Sequence, residues 1–135
     1  MSNANANTAS TTLPATPVAW FEIPVRDLDR ATRFYETVFA TTLRRENCGG
    51  GDMAIFPYSE GHPGGALASM PHLEPRDDGT LVYLHGGNDL APVLARAIAA
   101  GGKEVLPKTD LGNGVGHIAI FLDGEGNRVG LYSPN

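Results

Sequence analysis

The segment from residue 20 to residue 39 reads WFEIPVRDLDRATRFYETVF and decides the fold. Its apolar and aromatic opening is typical of a β-strand, and Pro24, which lacks a backbone N–H, favours a strand end or an edge strand. After Asp27, a suitable N-cap, apolar residues recur every three or four positions, as on one face of an amphipathic helix. The segment therefore predicts a strand followed directly by a helix.

The same plan occurs a second time in residues 81–100. A short apolar segment leads to Asn88 or Asp89 as the helix cap, and Ile98 belongs to the apolar face of the helix. Pro92 falls in the first turn, and Gly101-Gly102 supplies a left-handed stop. Because one such copy cannot bury both faces of its sheet, we expect the copies to share a core and enclose a cleft.

Three predicted strands, separated by Gly-rich turns, follow each helix, so that each copy has the order β-α-β-β-β. The strands lie near residues 42–46, 53–58 and 65–70 in the first copy, and 103–107, 116–122 and 128–132 in the second. The sequence DGEGN of residues 123–127 predicts a hairpin. Its acidic spacing is similar to a calcium loop, but Arg128 stands where that loop needs glycine, so we predict a turn.

The chain has 135 residues and 41% hydrophobic content, which is enough for one compact core. We predict a disordered tail at residues 1–17 and a single domain over 18–135. Within that domain, module one spans 18–70, a linker spans 71–79 and module two spans 80–135.

Composition excludes several classes of function. The net charge is −5 with ten scattered Lys and Arg residues, so we expect no nucleic-acid partner. No apolar run approaches the ~20 residues that span a bilayer, and no secretory signal is evident, which predicts a cytoplasmic protein with no membrane partner. Cys48 is the only cysteine, so no intrachain disulfide or thiol-rich metal site is expected, and its glycine neighbours favour a mobile turn.

Taken together, these segments resemble the vicinal oxygen chelate superfamily of glyoxalases, bleomycin resistance proteins and extradiol dioxygenases. The resemblance is carried by VRDLDRA at 25–31, Phe34-Tyr35, Val38-Phe39, AAGGK at 99–103, and IAIFLD at 118–123 with Gly126-Asn127 behind it. It implies an α+β fold of two βαβββ modules whose curled mixed sheets form a cup, and a homodimer. In metal-using members, His and Glu on the cup floor hold a divalent ion that stabilises developing negative charge.

Alignment with the family's opening places Trp20 and Leu81 at the two histidine positions. Gly130 stands at one glutamate position, and Gly65, Ala66 or Leu67 at the other. None of these side chains is a metal ligand. The resemblance therefore implies the fold and a pocket, and we expect no metal and no other cofactor.

Two residues are candidates for catalysis, Glu22 and His85. Glu22 lies on the same strand face as Trp20, and a buried, unpaired carboxylate there would be a candidate general base; pairing with an arginine or burial at a dimer seam is an equal alternative. His85 shares a face with Leu81 and Tyr83. Glu22 and His85 together could polarise a substrate oxygen or hold a noncanonical metal, against a plain hydrogen-bonding role for His85.

Five residues are candidates for lining a ligand pocket: Trp20, Tyr83, His117, Phe121 and Tyr132. The alternative is that some of the aromatic residues fill the core and that His117 is a half-exposed residue at a strand end.

Three functions follow from these features. The leading hypothesis is a small-molecule pocket protein of the glyoxalase and bleomycin-resistance type, either a binding module or a metal-independent enzyme. The alternative is a metal-dependent lyase or dioxygenase with displaced ligands from Glu22, His85 and His117. A third is an accessory domain that binds another protein through a sheet edge.

Overall fold

The computed structural model describes residues 16–47 and 50–135, and within them the chain forms eight strands and two helices. The predicted tail lies almost wholly outside the described residues, as does the predicted turn at Cys48. The first module contains β1 (Trp20–Pro24), α1 (Leu28–Phe39), β2 (Arg44–Asn47), β3 (Asp52–Ile55) and β4 (Gly64–Ser69). The second contains β5 (Tyr83–His85), α2 (Ala91–Ala99), β6 (Lys103–Asp110), β7 (His117–Leu122) and β8 (Arg128–Ser133).

Each module forms one four-stranded mixed sheet. The strand order is β1-β4-β3-β2 in the first sheet and β5-β8-β7-β6 in the second. In both, the first strand pairs in parallel with the last strand of its module, and the other pairs are antiparallel. The sheets do not close into barrels. The predicted α+β fold of two βαβββ modules is confirmed.

Local signals explain the helix boundaries. At the start of α1, the Asp27 carboxylate accepts a hydrogen bond from the Arg30 backbone N–H at 3.0 Å, which confirms the predicted cap. The prediction for α2 is wrong in one detail, because the residue before the helix is Leu90, which has no side-chain cap. Asp89 instead accepts the backbone N–H of Ala91 at 2.9 Å. Gly101, with φ of 108°, ends the helix as predicted.

The core lies between the helices and one face of each sheet. Helix α1 packs on β3 and β4, α2 packs on β6 and β7, and the two helices contact each other. Alternate strand residues face the helices and are buried, among them Ile23 and Leu67 in the first sheet and Phe121 and Leu131 in the second. Contrary to the prediction, Ile98 is not part of the buried face of α2 and is 38% exposed.

The face of each sheet that points away from the helices carries the other set of alternate residues, and we call it the open face. It bears Trp20 and Glu22 in the first sheet and Tyr83, His85 and Tyr132 in the second, with Tyr83 and His85 exposed. Neither helix in the described part of the chain has the length and apolar character needed to cross a membrane.

Candidate functional site

A cavity of about 540 Å³ lies on the open face of the second sheet. We call it the second-sheet cavity, and its lining residues are Tyr83, His85, Leu111, Val115, Ile118 and Tyr132. Tyr83 is 43% exposed and Val115 is 55% exposed, which is unusual for large apolar side chains that border one concave surface. His85 supplies an imidazole, and among the described residues that line the cavity none is acidic and none is a lysine or arginine.

Glycines position the two tyrosine rings of this cavity. Tyr83 lies opposite Gly130 in the parallel pair of β5 and β8, and a Cβ at Gly130 would lie 2.4 Å from Cδ1 of Tyr83. Tyr132 donates from Oη to the carbonyl oxygen of Val115 at 2.7 Å, and its ring lies over Gly116, whose φ is 126°. Both rings therefore occupy space that side chains at these glycines would need.

Sequence reasoning missed Leu111 and Val115, which lie in the connection between β6 and β7. That connection has left-handed backbone at Gly112, Asn113 and Gly114, with φ of 82°, 54° and 70°. The signal in the sequence was an apolar residue on either side of this Gly-rich turn, LGNGV at 111–115. A Gly-rich turn predicts backbone geometry, but it does not predict which surface the flanking side chains cover.

Glu22 lies on the open face of the first sheet. Its carboxylate is exposed, and Oε2 accepts a hydrogen bond from Nε1 of Trp20 at 3.2 Å. Trp20 in turn meets the ring of Tyr58 edge-on, with centroids 5.8 Å apart. Of the two alternatives for Glu22, the buried carboxylate is not found in this chain, because Glu22 lies on the open face of β1, which no helix covers, whereas Ile23 on the other face is buried.

The structure does not bring Glu22 and His85 into one cavity. Glu22 borders a groove of about 410 Å³ between the modules, whereas His85 borders the second-sheet cavity. A single ligand atom shared by the two side chains is therefore not supported by this arrangement.

His117 and Phe121 lie on the face of β7 that packs under α2. Phe121 is fully buried, with its ring centroid 6.2 Å from that of Phe34. The Nε2 atom of His117 is 3.9 Å from Oδ2 of Asp110, and Nδ1 is buried without a hydrogen-bond partner in the described residues. Their shared face with Ala119 is the one that the helix covers, so Phe121 fills the core and His117 is a partly exposed residue at a strand end, which are the alternatives that the sequence left open for these two residues.

The residues present do not fit the family's divalent metal. The ring of Tyr83 covers Gly130, and a Cβ at Gly65 would meet the ring of Phe21 at 2.2 Å. Trp20 and Leu81 offer no donor that a divalent ion prefers. Among residues 16–47 and 50–135, no group of three or more His, Cys, Asp or Glu side chains is placed to hold a metal.

A buried polar cluster joins the two modules, and sequence reasoning had predicted only a turn there. The cluster consists of Asp123, Glu125 and Asn127, each at most 8% exposed. Asp123 Oδ2 accepts from Tyr35 Oη at 2.7 Å, and Asn127 Nδ2 donates to the Pro24 carbonyl oxygen at 2.7 Å.

Glu125 and Tyr35 connect this cluster to module one, Glu125 through hydrogen bonds and an ion pair and Tyr35 through its hydroxyl. The Glu125 carboxylate accepts the backbone N–H of Arg26 at 2.6 Å and also binds the Arg30 guanidinium. Burial, reinforced by the neighbouring Asp123 carboxylate, raises the pKa of Tyr35 well above its ordinary value of 10.0. The acidic pattern at 123–127 was the visible signal, but its partners lie roughly 50 to 100 residues away in the chain.

Comparison with known proteins agrees with this architecture. The sequence model of the Glyoxalase/Bleomycin resistance protein/Dioxygenase superfamily matches residues 18–131. A solved glyoxalase/bleomycin resistance protein from Streptomyces sp. CB03234 is 26% identical, with a TM-score of 0.62 over 86% of this chain and 99% of that one. TnmS3, an antibiotic binding protein from the same source, is 24% identical, with a TM-score of 0.64 over 92% and 100% of the two chains.

Glyoxalase I from Zea mays has the same fold at 20% identity and a TM-score of 0.63 over 86% of this chain. The chain spans 45% of the length of that enzyme. No curated protein sequence matches the chain significantly. The match over residues 18–131, together with the doubled βαβββ architecture, establishes that the chain belongs to the glyoxalase, bleomycin resistance protein and dioxygenase superfamily.

Proposed function

We propose that this protein binds a small, largely apolar organic molecule in the second-sheet cavity and does so without a metal ion. The observation that carries the proposal is the exposure of Tyr83, Leu111 and Val115 around one cavity of about 540 Å³. That volume lies within the range of roughly 300–1,000 Å³ typical of small-molecule sites. A ligand there would remove these apolar surfaces from water, which favours binding.

The lining defines the chemistry of the ligand. A charged group buried in this cavity would find no counter-charge among the lining side chains, and its desolvation would oppose binding. The rings of Tyr83 and Tyr132 favour contact with a planar or aromatic ligand. His85 is the polar anchor, able to hydrogen-bond a hydroxyl or carbonyl oxygen.

The relatives support this class of ligand. TnmS3 is described as an antibiotic binding protein, and a further structure of similar fold from the same source is described as a glyoxalase/bleomycin resistance protein. We extend that description to this chain as a neutral, planar antibiotic-like or aromatic compound. Catalysis by Glu22 with His85 has less support, because the two residues border different cavities.

Isothermal titration calorimetry over a panel of planar antibiotics and uncharged aromatic compounds tests the proposal. Tyr83→Ala should weaken the tightest ligand by about tenfold or more, as expected for an aromatic contact residue. Tyr58→Ala is the matched control, because Tyr58 is 53% exposed but lies in the loop between β3 and β4, where its ring packs against Trp20 of the first sheet. The proposal fails if no compound binds, or if the two variants have equal effects.

A second comparison tests the role of His85. His85→Ala should weaken compounds with a hydroxyl or carbonyl group by about tenfold and leave their deoxygenated analogues unchanged, because the lost hydrogen bond exists only in the first set. Equal losses for both sets would show that His85 contributes apolar contact instead of a hydrogen bond.

A further inference from the structure

A groove lies between the two modules, lined by the first strand of module one and by residues of module two. β1 is one edge strand of the first sheet and β5 is one edge strand of the second, and among the described residues no sheet hydrogen bond joins the two strands. The groove has a volume of about 410 Å³. Its walls are β1 on one side, and residues 79–82 with the start of β8 on the other. We call it the inter-module groove.

Four charged side chains border this groove, and two of them already have partners. Glu74 forms an ion pair with Arg26 at 2.9 Å, and Arg76 forms one with Asp78 at 2.9 Å. Glu74 and Arg76 each have an oppositely charged neighbour at the surface, so neither side chain indicates a ligand-binding site.

Glu22 is the third charged residue, and it has no cationic partner in the described part of the chain. One carboxylate oxygen accepts the indole N–H of Trp20 at 3.2 Å, which leaves the other oxygen free. The same hydrogen bond positions the indole ring, which is 38% exposed, beside the carboxylate. The wall formed by β1 therefore presents a negative charge next to an aromatic surface.

Arg128 is the fourth, and it makes no ion pair within residues 16–47 and 50–135. Its Nε donates to the carbonyl oxygen of Asp77 at 2.9 Å, which fixes one edge of the guanidinium. The two terminal nitrogens make no hydrogen bond to any described residue. A planar pair of such N–H groups has the geometry that binds a carboxylate with two hydrogen bonds.

Opposite charges on the two walls of one cavity, neither neutralised, define a specific ligand chemistry. A ligand with only a negative charge would pair with Arg128 but be repelled by Glu22. A ligand with only a positive charge would pair with Glu22 but be repelled by Arg128. A molecule that carries an ammonium group and a carboxylate can pair with both walls, and the partly buried Val82 adds apolar surface to the lining. We infer that the inter-module groove binds a small zwitterion of amino-acid or dipeptide size, with its ammonium group at Glu22, its carboxylate at Arg128 and an aromatic side chain against Trp20. This site is separate from the second-sheet cavity and does not rest on the function proposed for it.

Calorimetric titration with matched ligands tests the inference. The probes are L-phenylalanine and glycyl-L-phenylalanine, each beside its N-acetyl derivative, which lacks the cation, and its C-terminal amide, which lacks the anion. At least one zwitterion should bind about tenfold more tightly than either of its derivatives, because each derivative loses one charge-assisted contact. Equal affinities within both series, or no binding by either zwitterion, would overturn the inference.

Substitutions locate the binding. Glu22→Gln and Arg128→Gln should each weaken the zwitterion by about tenfold and reduce its advantage over the matching derivative. Glu60→Gln and Arg44→Gln are the controls, because these charged residues border a different cavity on the first sheet. Far-ultraviolet circular dichroism should show that all four variants fold. Equal effects of the groove variants and the controls would contradict the assignment.

One more variant separates the two sites. Tyr83→Ala should leave zwitterion affinity unchanged while it weakens the ligand of the second-sheet cavity. If Tyr83→Ala abolishes zwitterion binding, the zwitterion occupies the second-sheet cavity and the groove assignment is wrong.

Discussion

The hydrogen bond between Tyr35 and Asp123 is the most sharply testable contact between the modules. The hydroxyl is fully buried and donates to the carboxylate at 2.7 Å. Tyr35→Phe removes this bond and keeps the shape of the ring. The carboxylate is not left without partners, because it also accepts the backbone N–H groups of Glu125 and Asn127 at 2.8 and 2.9 Å.

The expected cost follows from these contacts. A hydrogen bond to a charged group contributes about 1.5–3 kcal/mol, so Tyr35→Phe should lower the free energy of unfolding by about that amount. This is a large share of the roughly 5–15 kcal/mol by which a domain is stable. In an Asp123→Asn background the acceptor is neutral, and the same substitution should cost only about 0.5–1.5 kcal/mol.

Urea unfolding at one fixed protein concentration measures these differences, since any self-association would otherwise contribute. Tyr132→Phe is the matched control, because its hydroxyl donates to a neutral carbonyl oxygen at an exposed site, also at 2.7 Å. We expect that control to cost less than about 1 kcal/mol. If Tyr35→Phe costs no more than Tyr132→Phe, the buried cluster does not hold the modules together as described.

The same contact predicts a dependence on alkaline pH. The pKa of Tyr35 is raised by its burial and by Asp123, so the unfolded chain loses this proton near pH 10 while the folded chain retains it. The unfolded state then binds fewer protons, and the free energy of unfolding falls as pH rises above that point. Below pH 10 the contribution is fully present. The fall should be shallower in Tyr35→Phe, and identical slopes would contradict the assignment.

Three further predictions test other parts of the structure. Gly130→Ala places a Cβ where Cδ1 of Tyr83 lies, at 2.4 Å, so calorimetry should show ligand affinity in the second-sheet cavity reduced by about tenfold with the fold retained. Glu125→Gln should lower the free energy of unfolding by about 1.5–3 kcal/mol. Its control, Arg26→Gln, breaks only an exposed ion pair and should lower the free energy of unfolding by less than about 1 kcal/mol. Equal losses in the two variants would contradict the central role of the buried carboxylate. Asp27→Ala removes the cap of α1 and should cost about 1 kcal/mol in the same urea experiment, and no loss would show that the cap is dispensable.

The parts of the fold that were predicted correctly carry local signals. Helix α1 begins after a capping aspartate and has an apolar face at helical spacing, and both features lie within the helix and the residue before it. The hairpin between β7 and β8 is signalled by DGEGN, in which Gly126 adopts a φ of 92°. Such signals need no knowledge of distant residues. They also explain why the doubled βαβββ order was predictable.

The candidate site was harder to predict because it depends on which face of a strand is covered. In β7, alternate residues Ala119 and Phe121 are apolar, but so are Ile118 and Ile120 on the other face. Period-two alternation separates the two sets without showing which one lies under a helix. The sequence therefore left both placements open for His117 and Phe121, which lie on the covered face, while Tyr83 and Tyr132 lie on the open face.

The sequence also did not predict where the strands end or which distant residues bind the buried carboxylates. The strand predicted at 53–58 ends at Ile55, and the apolar segment that opens the second copy at residue 81 forms a strand only from Tyr83. The ends of a strand depend on how far it pairs with its neighbour, which residue propensities do not predict. The partners of Asp123 and Glu125 lie on α1 and just before it, close to 100 residues earlier. Local pattern predicts the turn there but not its burial.

Ligand binding that needs no metal is the central claim, and one calorimetric experiment tests it most directly. The tightest ligand from the panel is titrated into protein treated with a chelator, and into the same protein resupplied with zinc, nickel, manganese or iron. Mass spectrometry of each sample measures its metal content. We predict the same Kd in all samples and a Kd weakened by Tyr83→Ala in each of them. Binding that disappears on chelation and returns with one of these metals would contradict the account.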